Sequence, residues 1–371
     1  MRLPPALCLA VLLALRLTAA DSIKIGEFAS LTGKQASFGQ TNHRGAVFAV
    51  EELNATGGVL GRKLELVTED TRSMPGEAAT AVKKLITRDR VTAVVGETGS
   101  SAALEAAPLC QAAGVPMISA TATNQRVTEA GNYIFRACYI DSFQGTVLAK
   151  FAGRTLKVRR VALLVSSGNA YSVGLAKYFK ADFTTAGGEI IAEQKYSEGD
   201  KDFRAQLTAI KAQRPEAIFA SGDYAESALI CKQARELGLT VPIFGGDTWD
   251  SPALVEIGGP AVEGSYFSAH FSPDAQDPVV RGFVERFRRR WGTSPDTGTS
   301  LGYDAIMVLA DALRRAGSTD GAKIRDALAA TKDFPGVTGK ITIDPQRNAS
   351  KSAVIFTVKD GKFVYVESVA P

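Results

Sequence analysis

The sequence offers few groups that could carry out catalysis. Gly298-Thr299-Ser300-Leu301-Gly302 has the G-x-S-x-G spacing of a hydrolase nucleophile. That motif needs a strand before the serine and, in the chain order of α/β-hydrolases, a histidine after it. Here a polar stretch, Thr293 to Thr297, precedes Ser300, and both histidines of the chain, His43 and His270, come earlier. The match is read as chance. Gly57-Gly58-Val59-Leu60-Gly61 lacks the dinucleotide spacing G-x-G-x-x-G and reads as a helix C-cap and turn. Cys110, Cys138 and Cys231 have no Cys or His neighbour at metal-ligand spacing. No catalytic residue, metal or cofactor is expected, and the chain is read as a non-enzyme.

What remains is a set of small polar, acidic and aromatic residues that follow short apolar runs. Val91 to Val95 leads into Gly99-Ser100-Ser101, where a helix is expected to begin. The unpaired N–H groups at a helix start favour an anion such as a carboxylate. Val115 to Ser119 leads into Ala120-Thr121-Ala122-Thr123-Asn124, a second hydroxyl-rich exit. The run ending at Phe244 leads into Gly245-Gly246-Asp247, which places a carboxylate where it could meet an ammonium group. An anion site on one side and an acid on the other describe a pocket for a zwitterion. Phe38, Tyr171, Tyr224 after Asp223, and Tyr303 stand near similar exits and could supply apolar walls.

The elements that would position these residues follow from the hydrophobic pattern. Short apolar runs at Ile23 to Ala29, Lys63 to Thr68, Val91 to Val95, Val115 to Ser119, Val161 to Val165, Ala217 to Ala220 and Pro242 to Phe244 predict buried strands. Between them Ala46/Ala49/Val50/Leu53, Phe203/Leu207/Ile210 and Ile230/Ala234/Leu237 have helical spacing. Alternation of this kind predicts an α/β fold with parallel central sheets covered by helices. It pauses around residue 140, restarts, and changes near residue 272 into two long helices. A hairpin on Lys359-Asp360-Gly361-Lys362 closes the chain.

Composition agrees. The chain has 371 residues, 45% hydrophobic and 22% charged, a globular balance with length for two lobes. A formal net charge of +4 is no footprint for nucleic acid. Residues 3 to 20 form a short apolar run interrupted by Arg16 and ending in Ala19-Ala20, which reads as a signal peptide over residues 1–20 rather than a spanning helix. The mature protein is expected to be soluble and periplasmic or otherwise extracytoplasmic. Its three cysteines permit one disulfide at most, and spacing alone does not decide whether Cys110 and Cys138 meet.

Several stretches resemble the periplasmic leucine/isoleucine/valine-binding proteins of ABC importers, the type I solute-binding proteins. They are Leu31-Thr32-Gly33 with Phe38-Gly39, Asn54 to Leu64 (NATGGVLGRKL), Gly99-Ser100-Ser101, Ser119 to Asn124, and Gly245-Gly246-Asp247. The resemblance implies two Rossmann-like lobes joined by three crossings and closing on one solute. Lobe 1 would span 21–141 plus 272–350, and lobe 2 would span 142–271 plus 351–371. It further implies that Ser100 and the Thr123 N–H hold a ligand α-carboxylate. Thr121, Thr123 and Asp247 would hold the α-ammonium, with Phe38, Tyr171 and Tyr303 around the side chain. Ser101, Ala122 and Tyr224 adjoin the same exits. The chain departs from the family at Ser73 and Gly99, where some members carry a cysteine pair, and at Asp223, where they carry a tyrosine. The expected function is delivery of an amino acid, branched-chain or related, to a membrane permease. A sensory binding protein of the same fold, for an amide or other small carboxylate, is the alternative.

Overall fold

The computed structural model describes residues 22–96 and 99–370. The predicted signal peptide lies outside the described residues. The first sheet is built from β1 (Ile23–Ala29), β2 (Leu64–Asp70), β3 (Ala93–Gly96), β4 (Met117–Ser119) and β5 (Ile134–Arg136). All its pairings are parallel, in the order β2-β1-β3-β4-β5. Strand order reverses between β1 and β3, and ligands of open α/β sheets collect beyond the strand C-terminal ends at such a point.

The chain continues through β6 (Arg160–Ser166), β7 (Glu189–Tyr196), β8 (Ala217–Ala220), β9 (Ile243–Gly245) and β10 (Tyr266–Ala269). A small three-stranded sheet follows, β11 (Phe334–Gly336), β12 (Gly339–Ile343) and β13 (Ala349–Ser350), and then β14 (Ala353–Lys359) and β15 (Lys362–Val369). The second large sheet runs β15-β14-β10-β9-β8-β6-β7. Its strands β6 to β10 are parallel, while β14 and β15 pair antiparallel. The predicted hairpin is the β14–β15 unit, and Asp360 and Gly361 both have positive φ, 52° and 67°, as a two-residue type I′ turn requires. The chain passes from one lobe's elements to the other's after β5, after β10 and after β13, so neither lobe is continuous in sequence.

Each of the two large sheets buries apolar side chains on both faces under helices. One core joins Ile25, Ala49, Leu53 and Val95 to Phe283, Phe287, Leu309 and Leu313, so the two long helices predicted after residue 272 return to cover the first sheet. The helices Ala36–Ala55 and Thr297–Ala316 cross at glycines: a Cβ at Gly45 would collide with the Thr299 carbonyl, and one at Gly302 with the Asn42 carbonyl. Such contact leaves no room for a side chain on either glycine. The G-x-S-x-G match is thus a helix-packing feature, with Ser300 fully buried and its hydroxyl donating to the Asp296 carbonyl at 2.8 Å. Among the described residues Cys110, Cys138 and Cys231 are free and buried. Burial pushes the Cys110 and Cys138 thiols up to about 12 and that of Cys231 to about 11.

Candidate ligand-binding site

Strand exits of both large sheets meet at one cavity of about 230 Å³. From the first sheet come Ser30 after β1, Thr71 after β2, Gly99 to Ala102 after β3, and Thr121 after β4. From the second come Gly168, Asn169 and Tyr171 after β6, Glu198 after β7, Asp223 after β8, and Asp247 and Thr248 after β9. The volume lies below the ~300–1,000 Å³ of drug-sized ligand pockets, so the space suits a small guest.

On the first side, the helix Ser100–Ala113 starts at the cavity, with Gly99 as its N-cap and no side chain capping it. The first-turn N–H groups of a helix have no intrahelical partner, and this end of a helix favours a negative charge. The buried Ser100 hydroxyl accepts from the Asn124 N–H at 3.2 Å. The Ala122–Gln125 loop owes its course to Arg136, whose guanidinium is wholly buried. Arg136 donates to the carbonyls of Ala122 at 2.7 Å and Asn124 at 2.8 Å. Ala122 packs in the apolar core, and the buried Thr123 gives its carbonyl to the Asp141 N–H at 3.0 Å.

On the second side stands Asp247, 3% exposed. Its Oδ1 accepts from the Gln144 amide at 2.7 Å and its Oδ2 from His270 Nε2 at 2.8 Å. Burial lowers the His270 imidazole to about 4, against the pull of Asp247. The ring is neutral near pH 7, so its one proton sits on Nε2 and Nδ1 is an acceptor. Tyr139 stacks on the ring with centroids 3.5 Å apart, which fixes its plane. Asp247 is thus held by two neutral donors, and no cation among the described residues pairs with it. The Tyr171 hydroxyl lies beside Asp247 and Thr248 but closes no hydrogen bond of good geometry with any described residue.

Contacts across the cleft draw the two sides together. Gln35 Nε2 donates to Asp223 Oδ2 at 2.9 Å, Lys34 Nζ meets Glu198 at 2.7 Å, and the Ser37 and Ser251 hydroxyls are 2.9 Å apart. The Tyr224 hydroxyl donates to the Lys34 carbonyl at 2.8 Å. On the other flank, Ala170 N–H donates to Ser101 Oγ at 3.2 Å and its carbonyl accepts from Asn124 at 2.7 Å.

Of the residues singled out from the sequence, Ser100, Ser101, Thr121, Tyr171, Asp223 and Asp247 line the cavity. Phe38, Ala122, Thr123, Tyr224 and Tyr303 are placed elsewhere. Phe38 leaves its own lobe and joins the apolar cluster of Tyr224, Trp249 and Leu254. Tyr303 packs against Phe48 and Phe283 and donates to Glu52 at 2.7 Å. Sequence reasoning missed Lys34, Gln35, Asn169 and Glu198 in the lining, and Gln144, His270 and Arg136 behind it. Asn169 alone carried a local signal, as the N-cap of the helix Ala170–Thr185.

Comparison with known proteins agrees with this architecture. A family model described as periplasmic binding protein matches residues 22–362. A Leu/Ile/Val-binding protein of Rhizobium johnstonii, BraC3, is 31% identical over 348 residues, which cover 93% of this chain and 94% of that one. The solved leucine-binding protein LivK of Thermotoga maritima superposes with a TM-score of 0.91 at 40% identity, covering 94% of this chain and 99% of that one. The branched-chain amino acid transporter substrate-binding protein LivJ of Streptococcus pneumoniae, solved with isoleucine, gives 0.89 at 34% identity over 95% and 100%. With matching lobes, a matching sequence model and a cavity between the strand exits, this chain belongs to the periplasmic binding protein family.

Proposed function

We propose that the protein captures a free amino acid between its lobes outside the cytoplasm and delivers it to the membrane permease of an ABC importer, without chemical conversion. One observation carries the reading: Asp247, buried and held by two neutral donors, shares one cavity with the open helix start at Ser100. A zwitterion satisfies both, its ammonium at the carboxylate and its carboxylate at the helix N–H groups. The lobe division 21–141 plus 272–350 and 142–271 plus 351–371 fits this role, since each lobe then supplies one half of the grip. Export rests on the apolar leader before residue 21, and no helix among the described residues is long and apolar enough to cross a membrane.

Thermal-shift and calorimetric titration of the mature chain with the proteinogenic amino acids test this. A ligand at about a hundred times its Kd stabilises by about 2.7 kcal/mol. Asp247→Ala is expected to abolish that shift. If no amino acid raises the midpoint, or if Asp247→Ala binds as tightly as the parent, the reading fails.

A further inference from the structure

The zwitterion grip leaves one end of the cavity unexplained. Asp223, at the exit of β8, is 7% exposed and lines the cavity. Its two hydrogen bonds, from Gln35 at 2.9 Å and Asn169 at 3.4 Å, both fall on Oδ2. None among the described residues reaches Oδ1. Glu226, in the first turn of the helix Tyr224–Glu236, and Glu198 both repel its charge, and Lys34 is the cation that opposes them. Lys34 is already paired to Glu198.

Among the described residues of the lining, four carboxylates (Glu105, Glu198, Asp223 and Asp247) face a single cation, Lys34. A zwitterion brings no net charge, so it satisfies Asp247 and leaves the surplus as it was. The apolar lining is Met74, Pro75, Ala102 and the Tyr171 ring, with Met74 itself 56% exposed. That is a poor bed for a branched aliphatic side chain. A second observation also calls for a polar guest: the Tyr171 hydroxyl, 4% exposed at the cavity wall, lacks a partner of good geometry among the described residues.

We propose that the guest is a dibasic amino acid, of the lysine and ornithine class, whose side-chain cation is received by Asp223 Oδ1, and that Asp223 is the residue that selects it. This rests on the amino-acid reading above and narrows it. An ammonium at Oδ1 supplies the donor and the charge that the site lacks, and it does so without disturbing Gln35 or Asn169 on Oδ2.

The test is calorimetric titration of the mature chain with L-lysine, L-ornithine, L-glutamine, L-leucine and L-isoleucine, repeated on Asp223→Asn and Asp223→Leu. Lysine or ornithine is expected to bind at least about ten-fold tighter than leucine. Both variants should reduce the lysine-to-leucine affinity ratio at least about ten-fold, with thermal midpoints recorded to show that each is folded. Asparagine keeps the shape and removes only the charge, so it guards against a packing effect in the leucine variant. If leucine, isoleucine or glutamine binds tightest to the parent, the proposal is overturned while the amino-acid reading stands. An unchanged ratio in folded Asp223→Asn overturns it as well. If none of the five binds and no other amino acid does, both fall together.

Discussion

His270 Nε2 and Asp247 Oδ2 are joined at 2.8 Å where β10 ends and the chain leaves the second sheet. The residue that orients the carboxylate proposed to hold the ligand ammonium is therefore itself part of a crossing between the lobes. Tyr139, stacked on the same ring, lies on another crossing, between β5 and the helix Asp141–Arg154. Position of the carboxylate and course of the hinge are set by one stack of side chains.

Removing the imidazole donor should show in affinity. A hydrogen bond to a charged group contributes about 1.5–3 kcal/mol. His270→Leu is expected to weaken amino-acid binding by about ten-fold or more, and His270→Gln, which keeps an N–H donor, should recover part of the loss. Calorimetric Kd values for both variants check this. Equal affinity in His270→Leu and the parent would show that Gln144 alone suffices to hold Asp247.

Phe38 is a knob that one lobe inserts into the other. It sits on the helix Ala36–Ala55, which covers the first sheet, yet packs in the cluster of Tyr224, Trp249 and Leu254. Burying a side chain of this size stabilises by about 1.5–3 kcal/mol. Phe38→Ala is expected to shift the population toward an open form, with a larger radius of gyration by small-angle scattering and about ten-fold weaker ligand binding. An unchanged radius and affinity would show that the polar bridges at Lys34, Gln35 and Ser37 hold the lobes by themselves.

Stability should fall as pH rises from about 4 to about 8. Burial pushes Asp141 up to about 8 and Asp223 and Asp250 up to about 7, and Asp296 and Asp304 are raised for the same reason. In the unfolded chain each ionises near its ordinary value of 3.8, so across this window the native state holds more protons and loses stability with each step upward. His270 works in the opposite direction between about 4 and 6.5, where the unfolded chain takes the proton that the buried ring refuses. Several acids outweigh one histidine. The thermal midpoint of the ligand-free protein is expected to be higher at pH 5.5 than at pH 8, by about 2 °C or more. A midpoint that climbs over that range contradicts the assigned protonation of these acids.

The central strands were legible because they are buried on both faces and therefore read as uninterrupted apolar runs. Ala217 to Ala220 agrees to the residue, and Val161 to Val165 lies within β6. β7 left no such mark: it is an edge strand of its sheet, Glu-Ile-Ile-Ala-Glu-Gln-Lys-Tyr, half-exposed or exposed at all but its last residue and rich in charge. Within the site, the exits at Ser100, Thr121, Tyr171, Asp223 and Asp247 could be read because each follows a recognisable strand. Lys34 and Gln35 could not, since they matter through Glu198 and Asp223, both far away along the chain. Tyr303 shows the converse limit: an aromatic near the N-terminal end of a helix, here in the second turn of Thr297–Ala316, has the same local appearance whether it faces a cleft or, as here, a core.

The C-terminal hairpin also bears on how the chain assembles. The first sheet is drawn wholly from residues 23–136, so all five of its strands can find their neighbours early in synthesis or on emergence from a membrane. The second cannot be finished that way, because β10 waits for β14 and β14 for β15, at the far end of the chain. Until then β10 presents an open edge of unpaired N–H and C=O groups, a template for intermolecular pairing. Loss of the last two strands would accordingly expose this apolar strand to self-association, and chaperone dependence during maturation would centre on the second lobe.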